Sequence, residues 1–286
     1  IQFLSHKSIF IPKLFKINRF NIEFMKLGIN CKYDELLKEE TIKILKKEGI
    51  RFVEIRCLPD EINHDELRLI KDKFEYSMHA SFEDLKINLL PWLRYSANSV
   101  KKIEKDIDLA ILLNVREVVV HGGAFFKGYF RIASALKKNI GLNYSLDLFI
   151  KTFNPIFKRA EENGIKILME NCYPCFLFGR PYDILYVKQK LPSIGFCLDL
   201  AHSEIYNQTG ELMKLEIGHI HLTDNDKKTD RHLVIGKGSI DFDDFFYRLK
   251  KRNYNQKIIL ECESIQDSLK SFKNVSLLTK NRNNDI

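Results

Sequence analysis

Apolar positions recur along this chain in two alternating rhythms. Short β-rich runs that end on polar residues are KLGINC (26–31), FVEIRC (52–57), YSMHAS (76–81), EVVVHGG (117–123), KILMENC (166–172), IGFCLDLAH (194–202), IGHIHLTD (217–224) and KIILECE (257–263). Between them, EETIKILKKEG, HDELRLIKDKF, VKKIEKDIDLAILLN, FIKTFNPIFKRAEENG and FDDFFYRLKKRN place apolar residues at three- and four-residue spacing, which predicts amphipathic helices. Gly49, Asn114 and Gly164 stand at the ends of three of these, where a left-handed C-cap residue is expected. Strands alternating with helices imply parallel pairing through right-handed crossovers, and eight such units close into a barrel. The expected fold class is therefore α/β, a single (β/α)8 TIM barrel over residues 25–278. An open doubly wound sheet is disfavoured, because no GxGxxG follows the first strand and polar residues end nearly every strand rather than gathering at one switch point.

Two connections, 82–98 and 124–146, are long. The second holds Phe125, Phe126, Lys127, Tyr129, Phe130 and Arg131. Long loops after barrel strands are usually functional, so both are lid or substrate-binding candidates, with a packing excursion as the alternative. Residues 1–24 precede the first methionine, Met25, and lack the apolar core and small-residue cleavage site of a signal peptide. They are read as an extension outside the fold, and residues 279–286 as a flexible tail.

The formal charge of +8 suggests nucleic acid until it is located. Residues 1–24 carry +3 and residues 270–286 another +3, which leaves +2 for the barrel, so net charge is poor support for a DNA-binding face. No apolar run is long enough to span a bilayer, and no membrane partner is expected. Most of the six cysteines lie inside strand-like runs, which favours a reducing, cytoplasmic setting. Cys172 and Cys175 form a lone CxxC without a second pair, read as two ordinary thiols rather than a zinc knuckle.

In such a barrel the active site lies where the strands end. Polar residues closing the runs are His79, His121, Glu170, Asp199 with His202, His221 and Glu261, and Asp230 and His232 follow in TDRH. Five of the eight histidines fall in this set. Each alone is as well explained as a structural histidine; their joint placement at one barrel end points to a metal. Imidazole and carboxylate suit Zn²⁺, Mn²⁺, Fe²⁺ or Co²⁺, and a cation relieves the cost of carboxylates in an apolar mouth. His219 sits deeper in its run than His221, and Glu263 competes with Glu261. In IGKG (235–238), two glycines let backbone N–H groups approach an anion and Lys237 is a candidate substrate phosphate contact, although a tight turn is the preferred explanation of the motif.

The series MHAS, VVVHGG, ILMEN, CLDLAH, HIHLTDN, DRHLVIGKGSIDF and IILE resembles the xylose isomerase-like TIM-barrel superfamily, from about Met25 to about Ser264. That superfamily includes sugar-phosphate isomerases and epimerases and the endonuclease IV-type apurinic-site nucleases. The isomerase branch implies one metal held by Glu170, Asp199, His221 and Glu261, with the two glutamates as acid and base on a sugar or sugar phosphate and His202 orienting the substrate. The nuclease branch implies three zinc ions held by those four with His79, His121, His202, Asp230 and His232, and DNA as substrate. The short HLTDN-to-DRH connection and the barrel's low charge make a metal-dependent sugar or sugar-phosphate isomerase or epimerase the expected activity, and the complete set of nine ligand positions keeps the nuclease as the alternative.

Overall fold

The computed structural model describes residues 26–81, 97–123, 140–173 and 176–280. Eight strands, β1 (Lys26–Lys32), β2 (Phe52–Arg56), β3 (Glu75–His79), β4 (Glu117–Val120), β5 (Lys166–Glu170), β6 (Gly195–Asp199), β7 (His219–Leu222) and β8 (Lys257–Leu260), form one closed barrel. All neighbours pair in parallel, and β1 closes on β8 with Lys26 opposite Lys257 and Ile29 opposite Leu260. The expected TIM barrel is what the chain forms, and closure removes the open-sheet alternative.

Apart from β1, which runs one residue further, the strands are shorter than the apolar runs that announce them. β6 stops at Asp199 because its side chain accepts the His202 backbone N–H at 2.7 Å and caps the helix Leu200–Ile205. Most of the remaining site residues stand at a strand's last position or just beyond it, where the chain leaves the sheet. The three expected helix stops hold: Gly49, Asn114 and Gly164 have φ of 75°, 54° and 72°. The described part of the first long connection ends in the helix Ala97–Leu112, and that of the second in the helix Ile140–Glu162. Residues 82–96 and 124–139, where the lid expectation falls, lie outside the described residues, as do residues 1–25, 281–286 and 174–175, the last pair including Cys175 of the CxxC.

Most of the core fills the space between the outer wall of the barrel and the helices, as alternating strand side chains and amphipathic helices require. Phe149 packs with Phe153 of its own helix and with Phe178, and Phe242 and Phe246 of another helix are fully buried. Inside the barrel, Val119, Leu168 and Cys197 form a small separate cluster. Phe149 touches three aromatic rings at centroid distances of 4.9–5.7 Å. Its replacement by alanine should cost about 3–5 kcal/mol, read as a lower urea midpoint with an unchanged slope.

Candidate metal centre

The polar strand ends converge at the C-terminal mouth as three groups. In the central one, ligand atoms of Glu170, Asp199, His221 and Glu261 all lie within 4.8 Å of one another. His79 and His121 form the second with Glu170, their Nε2 atoms 3.1 and 2.9 Å from Glu170 Oε2. His202 and His232 form the third with Asp230, their Nε2 atoms 3.3 and 3.0 Å from Asp230 Oδ2. All nine expected ligands are therefore brought together. Glu263 is exposed while Glu261 faces the site, and His219 lies below, inside the barrel, against Glu54 and Glu117.

Backbone carbonyls set the orientation of the rings. His79 Nδ1 faces Ala80 O at 3.2 Å, His202 Nδ1 faces Asn171 O at 2.9 Å and His232 Nδ1 faces Glu261 O at 2.7 Å. A carbonyl only accepts, so each Nδ1 carries a proton and each Nε2 is left to the site. Asn171 braces the floor, donating to Asp199 O and accepting from Asp199 N–H. His232 holds φ at 44°, the left-handed region that a non-glycine residue avoids, and its hydrogen bonds keep the ring aimed.

Without a cation, protons balance the charge. Burial pushes these imidazoles down, but the carboxylates outweigh it: Glu170 lifts His79 to about 9, Asp199 and Asp230 lift His202 to about 10, and Asp230 with Glu261 lifts His232 to about 10. Burial likewise pushes Glu170 up, yet His221 and His121 hold it well below the usual carboxylate range. Asp199 is the exception. Burial carries it to about 6 against the pull of His202, with Glu170, Glu261 and Asp230 adding like charge. Asp230 Oδ1 and His221 Nδ1 are buried without a hydrogen-bond partner, and His221 Nε2 stands 2.7 Å from the Glu54 carboxylate below it. An under-neutralised aspartate, orphaned donor atoms and an N/O ligand set fit divalent ions of the zinc, manganese, iron or cobalt type.

Over the centre lies a cavity of about 280 Å³, whose lining includes His121, Glu170, Tyr173, Phe176, His202 and Asp230. A second cavity of about 250 Å³, at the opposite end of β5 beside Phe157 and Lys166, holds no comparable set of acids and histidines. Lys237 is exposed and does not line the cavity over the centre. The anion approached by the IGKG backbone is internal: Asp224 accepts from Gly236 and Gly238 N–H at 2.9 and 2.7 Å and from Ile240 N–H at 3.2 Å. A Cβ at position 238 would fall 2.3 Å from Asp224 Oδ1, so the motif is a turn built around a carboxylate. Two contributors escaped the sequence reading. Tyr173 donates to Asp230 Oδ2 at 2.6 Å from a segment with no periodicity, and Glu54 sits in mid-strand, away from the strand ends that were searched.

The raised histidines fix a pH dependence. Between about 6.5 and their folded values near 9–10, the folded chain keeps protons that the unfolded chain has lost, so stability falls as pH rises. Metal-free protein should lose about 1 kcal/mol or more between pH 6.5 and 8.5, measured by urea unfolding at each pH. Zinc-loaded protein should lack that slope, because the ions replace the protons.

A family model described as the xylose isomerase-like TIM barrel matches residues 42–277. Protein MJ1614 of Methanocaldococcus jannaschii is 28% identical over 260 residues, covering 85% of this chain and 95% of its own length. Among solved structures, a D-tagatose 3-epimerase-like protein aligns with a TM-score of 0.72 and 24% identity over 89% of this chain and 97% of its own. Endonuclease IV from Thermus thermophilus aligns at 0.62 and 15% over 88% and 98%. At such identities the structural likenesses establish the fold alone, and it is the family match that places this chain in the xylose isomerase-like TIM-barrel family.

Proposed function

We propose that this chain is a metal-dependent phosphodiesterase with a centre for up to three divalent ions, acting on abasic sites in DNA. The observation that carries this reading is the second and third ligand groups. A one-metal enzyme needs only Glu170, Asp199, His221 and Glu261, yet His79, His121, His202, Asp230 and His232 converge beside them, and the Nδ1 atoms of His79, His202 and His232 are tied to backbone carbonyls. Bound ions would supply Lewis-acid activation of water and neutralise charge on a phosphoryl group. The chain's own part is to hold the ligands rigid, with Glu170 bridging two groups. Glu170 Oε2 is shared by His79 and His121, and Oε1 lies 3.4 Å from His221 Nδ1. A carboxylate so committed is a poor base for a carbon-bound proton.

The second reading is a sugar or sugar-phosphate isomerase or epimerase, with one divalent ion and Glu170 and Glu261 moving the proton. It is favoured by the completeness of the central quartet and by a cavity of about 280 Å³, at the small end for ligand pockets. In both readings the site is built for an anionic or oxygen-rich ligand. The same cavity would take a sugar phosphate or one extruded abasic nucleotide, with His202 beside it.

Metal content separates the two. Zinc-replete protein should retain close to three ions per chain after gel filtration and should nick a duplex carrying a single abasic site at low salt. His232→Ala should lose one ion and at least 10- to 100-fold in incision rate, the range seen even for partners one shell further out. One ion per chain, an intact duplex and solvent deuterium entering a ketose or aldose next to its carbonyl would replace this reading by the second.

A further inference from the structure

The barrel interior contains a column of charged side chains that neither reading uses. It starts at the N-terminal end with Lys257, whose Nζ lies 3.1 Å from Glu117 Oε2. Glu117 Oε2 is 3.4 Å from His219 Nδ1, and His219 Nε2 is 3.1 Å from Glu54 Oε2. Ser77 donates its hydroxyl to the same Glu54 oxygen at 2.9 Å. The other oxygen, Oε1, turns upward to His221 Nε2 at 2.7 Å. His221 Nδ1 then faces the mouth, 3.2 Å from Glu261 Oε2 and 3.4 Å from Glu170 Oε1.

Glu54, His219 and His221 are completely buried. An ionised glutamate in that position costs several kcal/mol unless its charge is answered, and the interior of such a barrel is ordinarily filled with branched apolar side chains, as Val119 and Leu168 fill it nearby. The local strand pattern explains the placement. His219 and His221 are two apart on β7 and share its inward face. Glu54 stands opposite Ser77 on the neighbouring strand. The glutamate is therefore held from below by Ser77 and His219 and has one oxygen left for the ring above.

From this geometry we infer that Glu54 is a positioning residue for the metal centre: it fixes the His221 ring through Nε2, so that Nδ1 presents its lone pair beside Glu170 and Glu261. A metal-binding imidazole commonly directs its other nitrogen to a carboxylate, which sets both tautomer and ring angle. Here that carboxylate is supplied from inside the barrel, on β2, a strand that contributes none of the nine ligand positions. His219 has a supporting part in the same column: it is a clamp on Glu54 and not a ligand.

The inference rests on the proposed centre, and zinc binding separates the two. Wild-type protein is titrated with zinc against a chelator, alongside Glu54→Met and Glu54→Gln, with circular dichroism and metal-free melting as controls on folding. Glu54→Met should bind the central ion about 10- to 100-fold more weakly. Glu54→Gln, whose amide oxygen can still accept from His221 Nε2, should recover part of that loss. In zinc-loaded wild-type protein, long-range proton–nitrogen spectra of labelled histidine should show His221 protonated at Nε2 and bare at Nδ1, a pattern that Glu54→Met disturbs. A folded Glu54→Met with wild-type zinc affinity and an unchanged His221 pattern would overturn the inference while leaving the metal centre intact. If Glu54→Met does not fold, Glu54→Gln decides alone, and an unchanged affinity and ring pattern there overturns it equally. Wild-type protein that binds no divalent ion would remove both this inference and the reading it rests on.

Discussion

Buried negative charge at the mouth of a closed barrel is the constraint on which this molecule depends. Glu170, Asp199 and Asp230 are buried or nearly so, and Glu261 stands beside them. Glu170 and Asp199 have no bulk water to solvate them and Asp230 and Glu261 have little, so each must be met by a proton donor or a cation. The histidines meet that need in pairs: two on Glu170 and two on Asp230. Because carbonyls hold the outer nitrogens of three of these rings, the side chains cannot rotate away to relieve crowding, and the backbone itself carries the precision of the site.

The barrel supplies that backbone at little cost. Its strands end in register around one rim, so side chains from β3 to β8 reach a common point without long loops. Local devices then fix the chain as it leaves the sheet: Asp199 caps the helix behind it, Asn171 bridges β5 to β6, and Asp224 gathers three N–H groups of the following turn. That last turn keeps the Asp230–His232 segment close to β8, where His232 meets the carbonyl of Glu261. One carboxylate used structurally thus sets the place of two side chains used at the site.

Barrel closure and the rim residues were legible in the sequence because both follow from periodicity. Apolar runs of period two alternate with amphipathic ones of longer period, and polar residues at the ends of the former mark a single face. The pattern was blind where a residue's role depends on what lies across the barrel. Glu54 reads as one acid within FVEIR, and nothing local reveals that it faces His219 and His221 from β7. The same limit applied to IGKG, where two glycines signal an approaching anion but not that the anion is Asp224. Tyr173 lies after a strand in an irregular segment, and only the fold brings its hydroxyl to Asp230.

The interior column also bears on the two readings proposed for this site. In the proposed centre, ligand atoms of Glu170, Asp199, His221 and Glu261 lie within 4.8 Å of one another, with Glu54 beneath His221. Glu170 joins the quartet to the outer groups: Oε2 meets His79 and His121, while Oε1 lies 3.4 Å from His221 Nδ1 and 3.7 Å from His202 Nδ1. Loss of the outer histidines would leave a one-ion centre with a freed glutamate oxygen, suited to moving a proton. On the proposed reading, their retention, with three rings tied to backbone carbonyls, occupies Glu170 and favours hydrolysis over proton transfer.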